Sequence, residues 1–99
     1  MQLEMSFKNI EAPDRLKEFV HEKMDRLTKF FDGRIHARWT FSIDHQAFVA
    51  HVHVTGNHLD YFVEADADDN FFTVTERAVD KLERQLQRKK EQLKDHHKA

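Results

Sequence analysis

Ninety-nine residues with two Gly, one Pro and no Cys have the length of one domain with a modest core and little linker. The lack of Cys excludes a disulfide scaffold, a thiol nucleophile and Cys-ligated zinc, and fits a reducing cytosol. No apolar run reaches the ~20 residues of a membrane span, and MQLEMSFK has no basic segment followed by an apolar one, so no secretory signal is expected. The net charge of −2 hides an asymmetry: residues 51–70 carry five acids and no Lys or Arg, whereas residues 71–99 carry eight Lys/Arg against five acids. A domain-wide basic balance, the usual footprint of a nucleic-acid binder, is absent. Polyanion binding would have to rest on local patches.

In chain order, Gln2 to Phe7 alternates, with Leu3, Met5 and Phe7 on one side, the period of a half-buried strand. Pro13 suits the first turn of a helix and Asp14 its positive end. That helix is expected from Pro13 to Phe31. Leu16, Phe19, Val20, Leu27, Phe30 and Phe31 form its apolar face, with Met24 at the edge. Lys23 and Arg26 lie near one border of that face and Lys29 further round. Asp32-Gly33 ends the helix, Gly33 being a natural left-handed residue there.

Ile35 to Ile43 alternates again, with Ile35, Ala37, Trp39, Phe41 and Ile43 inward and His36, Arg38, Thr40 and Ser42 outward. Asp44-His45-Gln46 is read as a turn. Phe48 to Thr55 is a third strand, with Phe48, Ala50, Val52 and Val54 inward and Val49, His51, His53 and Thr55 outward. Gly56-Asn57-His58 supplies hairpin turn chemistry. A fourth strand puts Tyr61, Val63 and Ala65 inward and Phe62, Glu64 and Asp66 outward.

The last helix is expected over residues 69–94, with Asp68, Asp69 or Asn70 as its cap. At about 100° per residue, Phe71, Val74, Ala78, Leu82, Leu86 and Leu93 share one arc, the buried face. Arg77, Lys81, Arg84 and Arg88 form a basic stripe on one flank, while Glu76, Asp80, Glu83 and Glu91 lie mostly on the outer side. Like charges four apart repel, so a stripe of one sign suggests a polyanion partner. The same pattern also suits a solvated face crossed by pairs such as Asp80 to Arg84.

The order β-α-β-β-β-α implies an α+β two-layer sandwich, a four-stranded sheet with both helices on its apolar face and its other face wet. A single domain over residues 1–95 is expected, with a frayed tail over 96–99.

Among constellations that carry chemistry, His51 and His53 share a strand face that His36 could join, and imidazoles at i and i+2 can share a metal ion. Arg38 beside them opposes a cation, and no third ligand is fixed by spacing, so no metal site is expected. The acids of residues 60–69 lack the spacing of a calcium loop. No nucleophile elbow, P-loop or dinucleotide turn is present, and two Gly leave little for a phosphate cradle. Neither an enzyme nor a cofactor is expected.

The opening strand MQLEMSF, the segment Leu16-Lys17-Glu18-Phe19-Val20 followed by Lys23 and Leu27, Phe31-Asp32, Asp69-Asn70-Phe71 and Asp80-Lys81-Leu82-Glu83-Arg84-Gln85-Leu86 resemble the short ribosome hibernation promoting factors. These belong with the ribosome-associated inhibitor and sigma-54 modulation proteins, and the resemblance covers nearly the whole chain. It implies a fold akin to the double-stranded-RNA-binding domain. It also implies binding to the small ribosomal subunit in the channel for messenger and transfer RNA. Carried over by position, Lys23, Arg26 and Lys29 on the first helix and Lys81, Arg84, Arg88, Lys89 and Lys90 on the second would contact 16S ribosomal RNA. The stripe argument selects Lys81, Arg84 and Arg88 independently. It does not select Lys89, which projects toward the apolar arc, or Lys90, on the opposite border.

Three departures stand out: Phe71 replaces the usual Tyr, Thr75 stands where many members have Asp, and the acidic stretch 60–69 makes the chain less basic. The chain has neither the second domain of long members nor the C-terminal extension of the related inhibitor, so the short promoting type is expected. The implied role is a cytoplasmic, non-enzymatic factor that silences and protects idle ribosomes, with a ribosome modulation factor as a further candidate partner. The alternatives are a generic double-stranded-RNA-binding module and a protein-interaction domain using the open sheet face or the acidic stretch.

Overall fold

The computed structural model describes residues 1–30, 34–56 and 58–98, and the side chains of residues 1–29, 34–56 and 58–88. Strand β1 (Gln2–Phe7) leads to helix α1 (Asp14–Leu27), which tightens into one 3-10 turn over Thr28–Phe30. Strands β2 (Ile35–Asp44), β3 (Ala47–Gly56) and β4 (Leu59–Ala67) follow, then helix α2 (Phe71–Lys98). The element order is the one that the periodicities imply. The strands form one four-stranded sheet in the order β1-β2-β3-β4. β2, β3 and β4 pair antiparallel, whereas β1 runs parallel to β2, with Gln2 opposite His36 and Phe7 opposite Phe41. A parallel pair needs a crossover, and α1 supplies it.

One sheet face, bearing Ala37, Trp39, Phe41, Ala50, Val52, Val54, Val63 and Ala65, packs against Leu16, Val20, Met24 and Leu27 of α1 and Val74, Ala78, Val79, Leu82 and Leu86 of α2. Trp39 and Phe41 are fully buried at its centre, their rings 5.6 Å apart. Phe7 stacks on Phe41 at 5.2 Å and Phe71 meets it edge-on at 5.4 Å. Each such ring contributes on the order of 1.5–3 kcal/mol through its burial.

Several expectations are corrected. Met24, expected at the edge of α1's apolar face, is fully buried, while Phe19 lies half-buried on the rim, edge-on to Phe72 at 5.2 Å. Pro13 precedes α1 as its cap residue, in extended conformation, and its carbonyl accepts from Leu16 N–H at 2.9 Å. Ile43 keeps its alternation but is 53% exposed, because the β2–β3 hairpin runs past the cover of the helices. Val49 lies on the open face yet is buried, a short side chain on an inner strand between Ser42 and Asp66.

On α2, Val79 and Thr75 join the buried arc. Thr75 stays satisfied there by donating its hydroxyl to the Phe71 carbonyl at 2.8 Å. α2 begins two residues later and ends four residues further than residues 69–94. Phe30, Phe31, Asp32-Gly33, Asn57, Leu93 and the tail 96–99 fall wholly or by their side chains outside the described residues.

Asn70 caps α2: its Oδ1 accepts from Thr73 N–H at 3.0 Å. Asp69 braces the same turn, accepting from the Thr73 hydroxyl at 2.8 Å and from Asn70 N–H at 2.9 Å. These bonds, that from Thr73 foremost, hold the Asp69 carboxyl below its ordinary range.

Candidate nucleic-acid interface

α2 lies against the sheet with Arg77 and Lys81 at β4, one of its two edge strands. Edge strands expose unpaired carbonyls, and long cations are one means of covering them. Here Arg77 donates to the Asp66 carbonyl at 2.8 Å, and the Lys81 ammonium donates to that of Glu64. Four residues of helix rise about 6 Å and two of strand about 6.8 Å. Cations four apart on α2 therefore meet carbonyls two apart on β4. The stripe is thus divided: Arg77 and Lys81 clasp the sheet edge, while Arg84 and Arg88, further along the helix, are exposed. Beyond the clasp a groove of about 340 Å³ is lined by Phe62, Val63, Glu64, Lys81, Arg84, Gln85 and Arg88. Phe62 is 59% exposed. Sequence reasoning assigned it no role, although an aromatic among outward polar residues is itself a signal.

The first-helix cations sit elsewhere. Lys23 and Arg26 line a cleft of about 270 Å³ between the helices, facing Glu76, Asp80 and Glu83 of α2. The Lys23 ammonium lies 5.3 Å from the centre of the Phe19 ring. Lys29 is exposed in the 3-10 turn after α1. The structure therefore does not merge the two basic groups: the acid row of α2 runs between Lys23 and Arg26 on one side and Lys81, Arg84 and Arg88 on the other. The side chains of Lys89 and Lys90 lie outside the described residues.

The open sheet face carries a ladder of charged contacts across strands. Glu4 is 3.2 Å from Arg38 and 3.3 Å from His36. His51 is 3.2 Å from Glu64, and His53 is 2.6 Å from Asp60. The hydrogen bond from Arg38, and then the His36 ring beside it, hold the Glu4 carboxyl below its ordinary range. His51 and His53 each turn toward a carboxylate on β4, and among the described residues no group of three or more His, Asp or Glu could hold a metal ion. Among the same residues, no helix is long and apolar enough to cross a membrane.

Known proteins share this architecture. Ribosome hibernation promoting factor of Escherichia coli strain K12 is 31% identical over 98 residues, 97% of this chain and 100% of that protein. Its namesake from Klebsiella oxytoca is 30% identical over the same shares. The Thermus thermophilus Protein Y N-terminal domain superposes with a TM-score of 0.80 at 28% identity, over 89% of this chain and 98% of that one. A ribosomal subunit interface protein from Coxiella burnetii, 19% identical, shares the fold with a TM-score of 0.79 over 91% of this chain and 98% of its own. Residues 3–94 match the family described as Sigma 54 modulation protein / S30EA ribosomal protein, and the chain belongs to that family.

Proposed function

We propose that this protein is a ribosome hibernation factor that binds the small subunit in the channel for messenger and transfer RNA. The observation that carries the reading is the exposed basic flank of α2, with Arg84 and Arg88 beside β4, in a member of this family. The mechanism is occupancy, not catalysis. Lys81, Arg84 and Arg88, with Lys89 and Lys90 further along the helix, neutralise 16S ribosomal RNA phosphates and release their counterions. Lys23, Arg26 and Lys29 do the same at the other flank. The compact domain of residues 1–95 then excludes both RNA ligands from the space that it fills. The site of action is the cytoplasm, and a ribosome modulation factor is a candidate partner on the same particle.

Sucrose-gradient sedimentation of a cell lysate, with the protein detected by antibody, tests this. The protein is expected with small subunits and idle ribosomes and absent from translating polysomes. Sedimentation only at the top of the gradient, at low salt, would sink the reading.

A further inference from the structure

The groove beyond the clasp combines two chemistries that the stripe alone does not. Its lining holds three cations, Lys81, Arg84 and Arg88, against one acid, Glu64. Glu64 in turn lies 3.2 Å from His51. At the lip stands Phe62, 59% exposed and, among the described residues, the most exposed of the large apolar side chains. Two rings from β3 brace it: the His51 ring stacks on it at 5.9 Å with 30° between planes, and the His53 ring meets it at 6.4 Å and 63°. An aromatic platform beside exposed Arg side chains is how proteins hold unpaired nucleotides, the ring taking a base and the cations the backbone. A base paired within a duplex has no free face for such a ring.

We propose that the β4–α2 groove is a site for single-stranded RNA, in which an unstacked base lies on Phe62 while Arg84 and Arg88 hold the neighbouring phosphates. The proposal rests on the reading above that this flank meets RNA, and it specifies which RNA: an unpaired segment. Phe62 supplies preference for a base without counterion release, and the Arg pair supplies salt-dependent affinity without regard to the base. On the same strand, Asp60 and Glu64 face His53 and His51, while Asp80 and Glu83 lie beside Arg84 on the helix side.

The test is fluorescence anisotropy at low salt with three labelled probes: octaadenylate, an abasic octamer with the same phosphates, and a blunt eight-base-pair RNA duplex. The wild-type protein is expected to prefer octaadenylate to both of the others. Phe62→Ala should weaken octaadenylate binding at least about fivefold and erase the preference over the abasic strand, leaving the salt slope unchanged. Phe62→Tyr should retain the preference, and Arg84→Gln with Arg88→Gln should flatten the salt slope. Because Phe62 is exposed, the variants should keep the wild-type circular dichroism. Should the Ala variant misfold, Phe62→Leu removes the ring while keeping apolar volume and carries the same expectation.

A wild-type protein that binds the abasic strand or the duplex as tightly as octaadenylate overturns the site, as does an Ala variant that keeps the preference. If Phe62→Ala leaves every probe affinity unchanged yet reduces sedimentation with small subunits, Phe62 makes a protein contact and the RNA site is wrong. A Phe62-dependent preference in a protein that never sediments with ribosomes would leave the site standing and sink the hibernation reading alone.

Discussion

The Lys81 ammonium donates to the backbone carbonyl of Glu64, so the middle of the α2 stripe is tied to the outer edge of the sheet. Lys81 therefore both seats the helix and contributes charge, whereas Arg84 and Arg88 contribute charge alone. Changing all three to Ala should weaken binding to small subunits at moderate salt and flatten its salt dependence. Each lost phosphate contact should lower the log–log slope by about 0.7–0.9. Lys81→Ala alone should lower the slope less than Arg84→Ala and should cost under about 1 kcal/mol of stability, as exposed contacts do. Ala is the best helix former, so the triple variant should keep its fold. Co-sedimentation across a salt series, with circular dichroism as control, measures both; a folded triple variant with wild-type affinity and slope would reduce the stripe to a solvated face.

Glu76 and Glu83 face Lys23 and Arg26 across the cleft between the helices. Changing both to Gln removes negative charge beside Lys23 and Arg26 and, through Glu83, beside Arg84 as well. Binding to small subunits should tighten, by about twofold per charge, the scale of an exposed pair. Weaker binding in the same co-sedimentation assay would mean that the acids hold Lys23 and Arg26 in their working positions.

Trp39 is fully buried between the helices and the middle of the sheet. Trp39→Ala should cost about 3–5 kcal/mol in equilibrium denaturation, the cost of a large aromatic truncation in a core. Its indole N–H has no acceptor among the described residues. Trp39→Phe should therefore cost much less, since the polar group that it removes is unsatisfied. A loss near zero for the Ala variant would place Trp39 outside the core.

Asp69 has a lowered pKa in the folded state through the Thr73 hydroxyl and the Asn70 N–H. A depressed folded value means that the unfolded chain takes up the proton first as pH falls. The contribution of Asp69 is thus complete above its ordinary value of 3.8 and is lost as pH drops through the folded value. The stability gap between wild type and Asp69→Asn should be constant near neutrality and shrink below that point, with urea titrations at each pH as the measurement. A gap independent of pH down to full protonation would show that the charge contributes nothing to the turn.

His45 and Gln46 join β2 to β3 with positive φ at both, 50° and 71°. A two-residue turn of this hand matches the twist of the strands but favours Asn and Gly. For an L side chain the left-handed region costs on the order of 1–2 kcal/mol. Gln46→Gly should therefore raise stability by about 1 kcal/mol in thermal or urea unfolding, net of the Gly entropy in the unfolded chain. An unchanged or lowered midpoint would mean that the turn carries no such strain.

What local order can specify, the sequence determined. Alternation along β1 to β4 sorts Trp39, Phe41, Val52 and Val54 from Arg38, His51 and His53, because a strand's faces repeat every two residues. The helical period sorts Leu82 and Leu86 from Arg84 and Arg88, and Asn70 before Phe71 marks the start of α2 through a bond three residues long. The tertiary structure alone decided what depends on surfaces meeting across the chain. It paired β1 parallel with β2, left Ile43 uncovered past the helices and drew Met24 into the core. It turned Glu76 and Glu83 toward Lys23 and Arg26, clasped Arg77 and Lys81 to the β4 carbonyls and set Phe62 beside Arg84 and Arg88. Periodicity assigns each residue a face of its own element. Which other face it meets is decided by the crossing and offset of elements distant in sequence, and these follow from the packing of the whole core.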